Sequence, residues 1–163
     1  MLGASFREAV WLFPLATAVH FLEEAPGFTR WASRYASPRF TFAHWARIHA
    51  LGLAYALVFT ALVWRFPNRT LVFLFFALCL AESMFNAVFH LAATAASRTY
   101  APGLITALVL YPPLFWHLSR LAHREGLLEM LPGAAAFALA GVVHAFDVSN
   151  NVFFDRSPWP GRR

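Results

Sequence analysis

An all-α, polytopic membrane helical bundle is the fold class that this sequence predicts, on three observations. Apolar residues make up 60% of the 163-residue chain and charged residues 13%, where soluble domains average about half and about a quarter. Mean hydropathy is +0.54. Several apolar runs reach the roughly 20 residues that a helix needs to cross about 30 Å of hydrocarbon. One transmembrane domain is expected over residues 1–155, with a polar tail at 156–163.

Five spans are expected, in order. Span 1 covers residues 6–24; lacking a basic leader and a small-residue cleavage site, it reads as a retained segment and not a signal peptide. The linker after it mixes Arg30, Arg34 and Arg39 with Trp31, Tyr35, Phe40, Phe42 and Trp45. Such a mixture suits headgroup depth, so a short interfacial amphipathic helix is expected there. Spans 2 and 3, over 46–65 and 70–93, are near-continuous apolar stretches. Pro102-Gly103 and Pro132-Gly133 mark the starts of span 4 (102–121) and span 5 (131–154), since proline is tolerated in the first turn of a helix. Pro14 and the pair Pro112-Pro113 are expected to kink their helices, each removing a backbone hydrogen bond.

All thirteen basic residues are arginine, and the net charge of +5 is spread over loops and the C-terminus. A nucleic-acid face would need a contiguous basic patch, so that class is set aside. Cys79, the only cysteine, sits in an apolar run and reads as packing. With the N-terminal face called side 1, that side receives Arg7, Arg65, Arg69, Arg120 and Arg124. Side 2 receives Arg30, Arg34, Arg39, Arg47, Arg98, Arg156, Arg162 and Arg163. The positive-inside rule then makes side 2 cytoplasmic, in a plasma (cytoplasmic) membrane.

Threaded this way, the costly polar residues gather in the side-2 half. His20, Glu23 and Glu24 stand at i, i+3, i+4; Glu82, Asn86 and His90 at i, i+4, i+8; His144, Asp147 and Asn151 at i, i+3, i+7. Each set occupies one helix face. Ionisable residues inside spans cost from about 2.5 kcal/mol upward and normally pair or line a functional cavity. Glu23 and Glu24 also oppose the macrodipole at a helix C-terminus, which calls for a compensating positive group.

Three motifs in this order, His20-Phe21-Leu22-Glu23-Glu24, Asn86 to His90 (N-x-x-x-H) and Tyr100-Ala101-Pro102-Gly103 (Y-x-P-G), resemble those of the HXXEE family of uncharacterised integral membrane proteins. The resemblance implies a membrane-embedded polar site of unknown activity. It says nothing of His144 or Asp147, which rest on spacing alone.

Several chemistries fit. In a metal-dependent membrane enzyme, His20, Glu23, His90 and His144 or Asp147 are the expected ligands of a divalent ion, zinc or iron, with Glu24 or Glu82 as general base. Metal-assisted hydrolysis of a membrane lipid or lipophilic small molecule would follow. His49, Asn86, Tyr100, Gly103, Thr106 and Asn151 are expected to support the site or the substrate. A metal-free isomerase or cyclase of an isoprenoid-like lipid would instead use a desolvated carboxylic acid. A proton-coupled transporter or lipid-binding module is the third reading, and polar glue between helices the plainest.

Overall fold

The protein is described by a computed structural model over residues 5–154. The expected tail at 156–163, with Arg156, Arg162 and Arg163, lies outside the described residues. Every regular element among the described residues is helical. Ser5 opens the first helix with a capping box: its hydroxyl accepts from Glu8 N at 3.3 Å, and its own N–H donates to the Glu8 carboxylate at 2.9 Å.

Helix α1 (Phe6–Ala9) ends almost at once, and α2 runs Leu12–Glu24. Span 1, expected as one helix over 6–24, is therefore two. Pro14 has no N–H to offer Val10, and the Val10 carbonyl is taken at 3.1 Å by Phe13 N in a tighter turn. The break leaves Pro14 in the first turn of α2, where proline is tolerated. Helix α3 (Phe28–Tyr35) forms in the linker, burying Phe28, Trp31 and Ala32 and exposing Arg30 and Arg34. Helix α4 (Phe42–Arg65) is capped by Thr41, whose hydroxyl accepts from His44 N at 3.2 Å.

Asn68 caps α5 (Arg69–Phe75) by accepting from Leu71 N at 3.0 Å. The helix then passes through one π-helical turn, Phe76–Leu80, into α6 (Ala81–Ser97). Nothing in the hydrophobic pattern announces that turn. Its effect is rotational: an extra residue in a turn shifts everything after it by about 100°. Val72 and Phe75 thus face an apolar core while Glu82, Asn86 and His90 are aimed elsewhere. Helix α7 (Leu104–Arg124) runs through Pro112 and Pro113 as one helix, and α8 spans Met130–Asn151 with Pro132 in its first turn.

Among the described residues, three helices are long and apolar enough to cross a membrane: Phe42–Arg65, Arg69–Ser97 and Met130–Asn151. Two hydrophobic clusters bracket the polar residues. One, around Phe6, Phe13, Phe75, Phe76, Leu80 and Leu118, fills the end near the N-terminus. The other, around Phe28, Trp31, Phe40 and Trp45, fills the end nearest α3. Outside, large apolar side chains remain exposed, among them Leu51 and Val58 on α4, Val109 and Trp116 on α7, and Val142 and Phe146 on α8.

Helix α8 approaches α6 through small residues. Ala140 and Ala136 are fully buried one and two turns before His144, and a Cβ on Gly141 would stand 2.9 Å from the Phe85 ring. Close approach through small residues is the usual solution in bilayers, where no hydrophobic force separates helix from lipid. Ala140→Leu should therefore lower stability by about 1–3 kcal/mol by overpacking, whereas Val142→Ala on the exposed face should stay within about 0.5 kcal/mol. Thermal unfolding in detergent tests both.

Candidate metal centre and its cavity

The helical period decides what each carboxylate of the first motif does. At about 100° per residue, Glu24 lies roughly 40° to one side of His20 and Glu23 roughly 60° to the other. Glu24 is accordingly turned with His20 towards α4 and α6, and Glu23 towards α7.

Glu23 caps α7. Its carboxylate accepts from Ile105 N at 3.2 Å and Thr106 N at 2.7 Å, and also from the Thr106 and Tyr100 hydroxyls. An anion on the free N–H groups of a helix N-terminus is favourable. That is the positive partner the motif required, and it comes from backbone. Burial and the bond to Glu23 push the Tyr100 phenol up to about 12, so it remains a donor.

Glu24, 2% exposed, is the acceptor around which three histidines gather. Its Oε1 lies 3.3 Å from His20 Nε2 and 2.9 Å from His90 Nε2. Its Oε2 meets His49 Nε2 and accepts from Trp45 Nε1 at 3.2 Å. The tautomers follow from the other ring nitrogens. Glu23 can only accept, so the Thr106 hydroxyl donates to it and must itself accept from His20 Nδ1 at 3.0 Å. His49 Nδ1 likewise donates to the Trp45 carbonyl at 2.8 Å. In its neutral ring His20 Nε2 thus turns a lone pair towards Glu24, whereas His49 Nε2 is hydrogen-bonded to it. Neither His20 Nε2 nor His90 Nε2 is aligned for a hydrogen bond, although both are buried.

Gly103 makes the gathering sterically feasible. Its backbone is left-handed, with φ of +103°, and a Cβ there would lie 2.5 Å from His90 Cε1, 2.8 Å from His20 Cε1 and 2.9 Å from Glu24 Cγ. The Y-x-P-G segment thus serves the site by having no side chain at its last position.

A cavity of about 600 Å³ opens beside this centre, lined by His20, Glu24 and His49 on one side and by Glu82, Asn86 and His144 on another. His144 Nδ1 lies 2.6 Å from Glu82 Oε1. Asp147 accepts from Asn151 Nδ2 at 2.7 Å, and both residues line the cavity.

The atoms that come within 4.8 Å of one another, each able to hold an ion, belong to His20, Glu24 and His90. Glu23, expected as a ligand, stands outside that group because its carboxylate is turned to α7. His144 and Asp147, expected as alternative ligands, are outside it as well, His144 being held by Glu82 and Asp147 by Asn151. Glu24, expected as a base, lies at the centre. Trp45 and Tyr111 escaped the sequence reading. Trp45 was grouped with the headgroup aromatics, although it precedes His49 by one turn and stacks on it at 4.3 Å. Tyr111, buried 5.1 Å from the His20 ring, carried no motif.

Gly103→Ala should cost on the order of 2 kcal/mol, combining backbone strain with displacement of both histidines. Gly126→Ala, at φ +67° with nothing within 4 Å, should cost only about 1 kcal/mol. Chemical or thermal unfolding of the two variants side by side separates the clash from the strain.

Searches among curated proteins and among solved structures return no match. A sequence profile described as "Protein of unknown function with HXXEE motif" matches residues 11–117, a stretch that contains His20, Glu24, His49, His90 and Gly103 and stops short of α8. The chain belongs to this HXXEE family.

Proposed function

We propose that the protein is a metal-dependent membrane enzyme that acts, by metal-assisted hydrolysis, on a lipid or lipophilic small molecule reaching the site from the bilayer. One observation carries this reading: three buried ligand atoms, His20 Nε2, Glu24 Oε1 and His90 Nε2, converge without hydrogen bonds aligned between them. Donor atoms about 2.0–2.2 Å from a tetrahedral ion stand roughly 3.4 Å apart, and the separations of 2.9 and 3.3 Å lie near that. Two imidazoles and one carboxylate form the donor set of catalytic zinc with an open position, and of non-haem iron.

A divalent ion held there supplies Lewis acidity and acidifies a coordinated water towards neutrality. The chain's own residues do the rest. Thr106 fixes the His20 tautomer, and Trp45 and His49 hold the second oxygen of Glu24. Phe13, Phe21 and Tyr111 give the cavity apolar walls, and its volume of about 600 Å³ falls within the usual range for small-molecule sites, about 300–1,000 Å³.

In this reading the chain crosses the bilayer five times, through α1–α2, α4, α5–α6, α7 and α8, with α3 lying along the interface. The exposed apolar side chains of α7 and the outward arginines of α3 support it. The arginine distribution favours a cytoplasmic site half.

Elemental analysis of detergent-purified, chelator-free protein tests the proposal. About one ion per chain is expected in the wild type and more than ten-fold less in folded His90→Ala and Glu24→Ala. Thr106→Val, which releases His20 without removing a ligand, should weaken zinc affinity about 10- to 100-fold in a competition titration. A folded wild type that neither carries metal nor takes up zinc or iron would end the metal reading.

A further inference from the structure

We infer that Glu82 and His144 form a second, metal-independent centre of the same cavity, one that accepts the hydroxyl proton of a lipophilic alcohol. The assignment rests on the reading above only in taking the cavity to be a substrate site; it uses none of the metal-centre atoms.

Glu82 on α6 and His144 on α8 meet at 2.6 Å between Oε1 and Nδ1. An ionised carboxylate only accepts, so Nδ1 carries the proton and donates. His144 Nε2 is buried, has no hydrogen-bond partner, and belongs to a residue lining the cavity. If the ring were an imidazolium, Nε2 would be a charged N–H buried without an acceptor, a far more costly deficit than an unused lone pair. The neutral ring with a free Nε2 lone pair is the form this geometry favours. Asn86 Oδ1, one turn beyond Glu82, is a second buried acceptor without a partner. Two buried acceptor atoms on lining residues, both without a protein partner, complement a ligand that donates.

The ring is also held in place. Phe85 stacks near it at 6.5 Å and 28°, Phe89 meets it at 6.3 Å and 62°, and the small residues Ala136, Ala140 and Gly141 let α8 come close enough for the bond to Glu82. A group required only to join two helices needs no spare buried nitrogen on a residue that lines a cavity. In the step itself, the substrate O–H bond breaks and an Nε2–H bond forms. The electron pair stays on oxygen, and the imidazolium so produced is stabilised by the ionised Glu82 at Nδ1. This is the division of labour of a histidine oriented by a carboxylate in general-base catalysis.

The test uses full-length, chelator-treated protein in nanodiscs, titrated with 1-decanol and with decyl methyl ether, each dissociation constant corrected for partition into lipid. The alcohol can donate and the ether cannot. The alcohol should bind about five-fold more tightly, the worth of one hydrogen bond, and His144→Phe should abolish that preference. Equal binding of the two probes, or a preference that survives in His144→Phe, would overturn the assignment. Nitrogen-15 spectra of histidine-labelled wild type give a check that needs no variant. They should show the neutral ring of His144 with its proton on Nδ1, and a neutral ring protonated on Nε2 instead would count against the centre. Since all of this is done without metal, it stands or fails separately from the metal reading.

Discussion

The arrangement depends on one constraint, a carboxylate buried in a bundle with an apolar exterior. Glu24 is nearly inaccessible, and a carboxylate without partners in such surroundings would cost several kcal/mol. Trp45 and His49 answer part of that cost by hydrogen bonds to one oxygen, while His20 and His90 bring Nε2 to the other without an aligned bond. The same demand reaches the backbone: the rings crowd so closely that the start of α7 passes them only as glycine, in a left-handed conformation. The motif residue on α2, the histidine of N-x-x-x-H on α6 and the glycine of Y-x-P-G before α7 are parts of one packing problem.

Glu23 answers a different one. Two adjacent carboxylates at a helix C-terminus are costly together, and the fold separates them by about 100° of helical rotation. Glu23 is spent on the N-terminus of α7, where backbone N–H groups and the Tyr100 and Thr106 hydroxyls meet it. It still touches the chemistry indirectly, because the Thr106 hydroxyl that donates to Glu23 accepts from His20. A carboxylate–hydroxyl–imidazole chain of this kind does what outer-shell carboxylates do for ligating histidines generally, fixing the tautomer and the ring. The doubled acid of the motif thus reads as one residue for the centre and one for its support.

Much of this was legible in the sequence, and the part that was not has physical causes. The helical class and the placing of His20 and His90 on facing stripes follow from apolar run length and from i, i+4 spacing. Which of two neighbouring acids faces the histidines does not, since both fall within about 60° of His20 and the choice is made by where α6 and α7 pack. The division of span 1 was signalled by Pro14, though a proline alone does not say whether a helix bends or stops. The π-helical turn at Phe76–Leu80 left no trace in a run of uniformly apolar residues, yet it sets the direction in which Glu82, Asn86 and His90 point. Trp45 was hidden by its company, an aromatic among arginines that reads equally well as an interface anchor.

The two polar centres divide along the chain in an instructive way. The family profile spans α2 to the middle of α7 and takes in every residue around Glu24. Glu82 falls inside it, while His144 sits on α8, beyond its end. The cavity needs both, since α8 contributes Val143, His144, Asp147 and Val148 to its lining. With α8 in place, His20 and Glu24, which could hold an ion, and His144 line one cavity. On the proposed reading, that shared lining, more than the ligand set alone, is what would let a lipophilic substrate be polarised at one end and relieved of a proton at another.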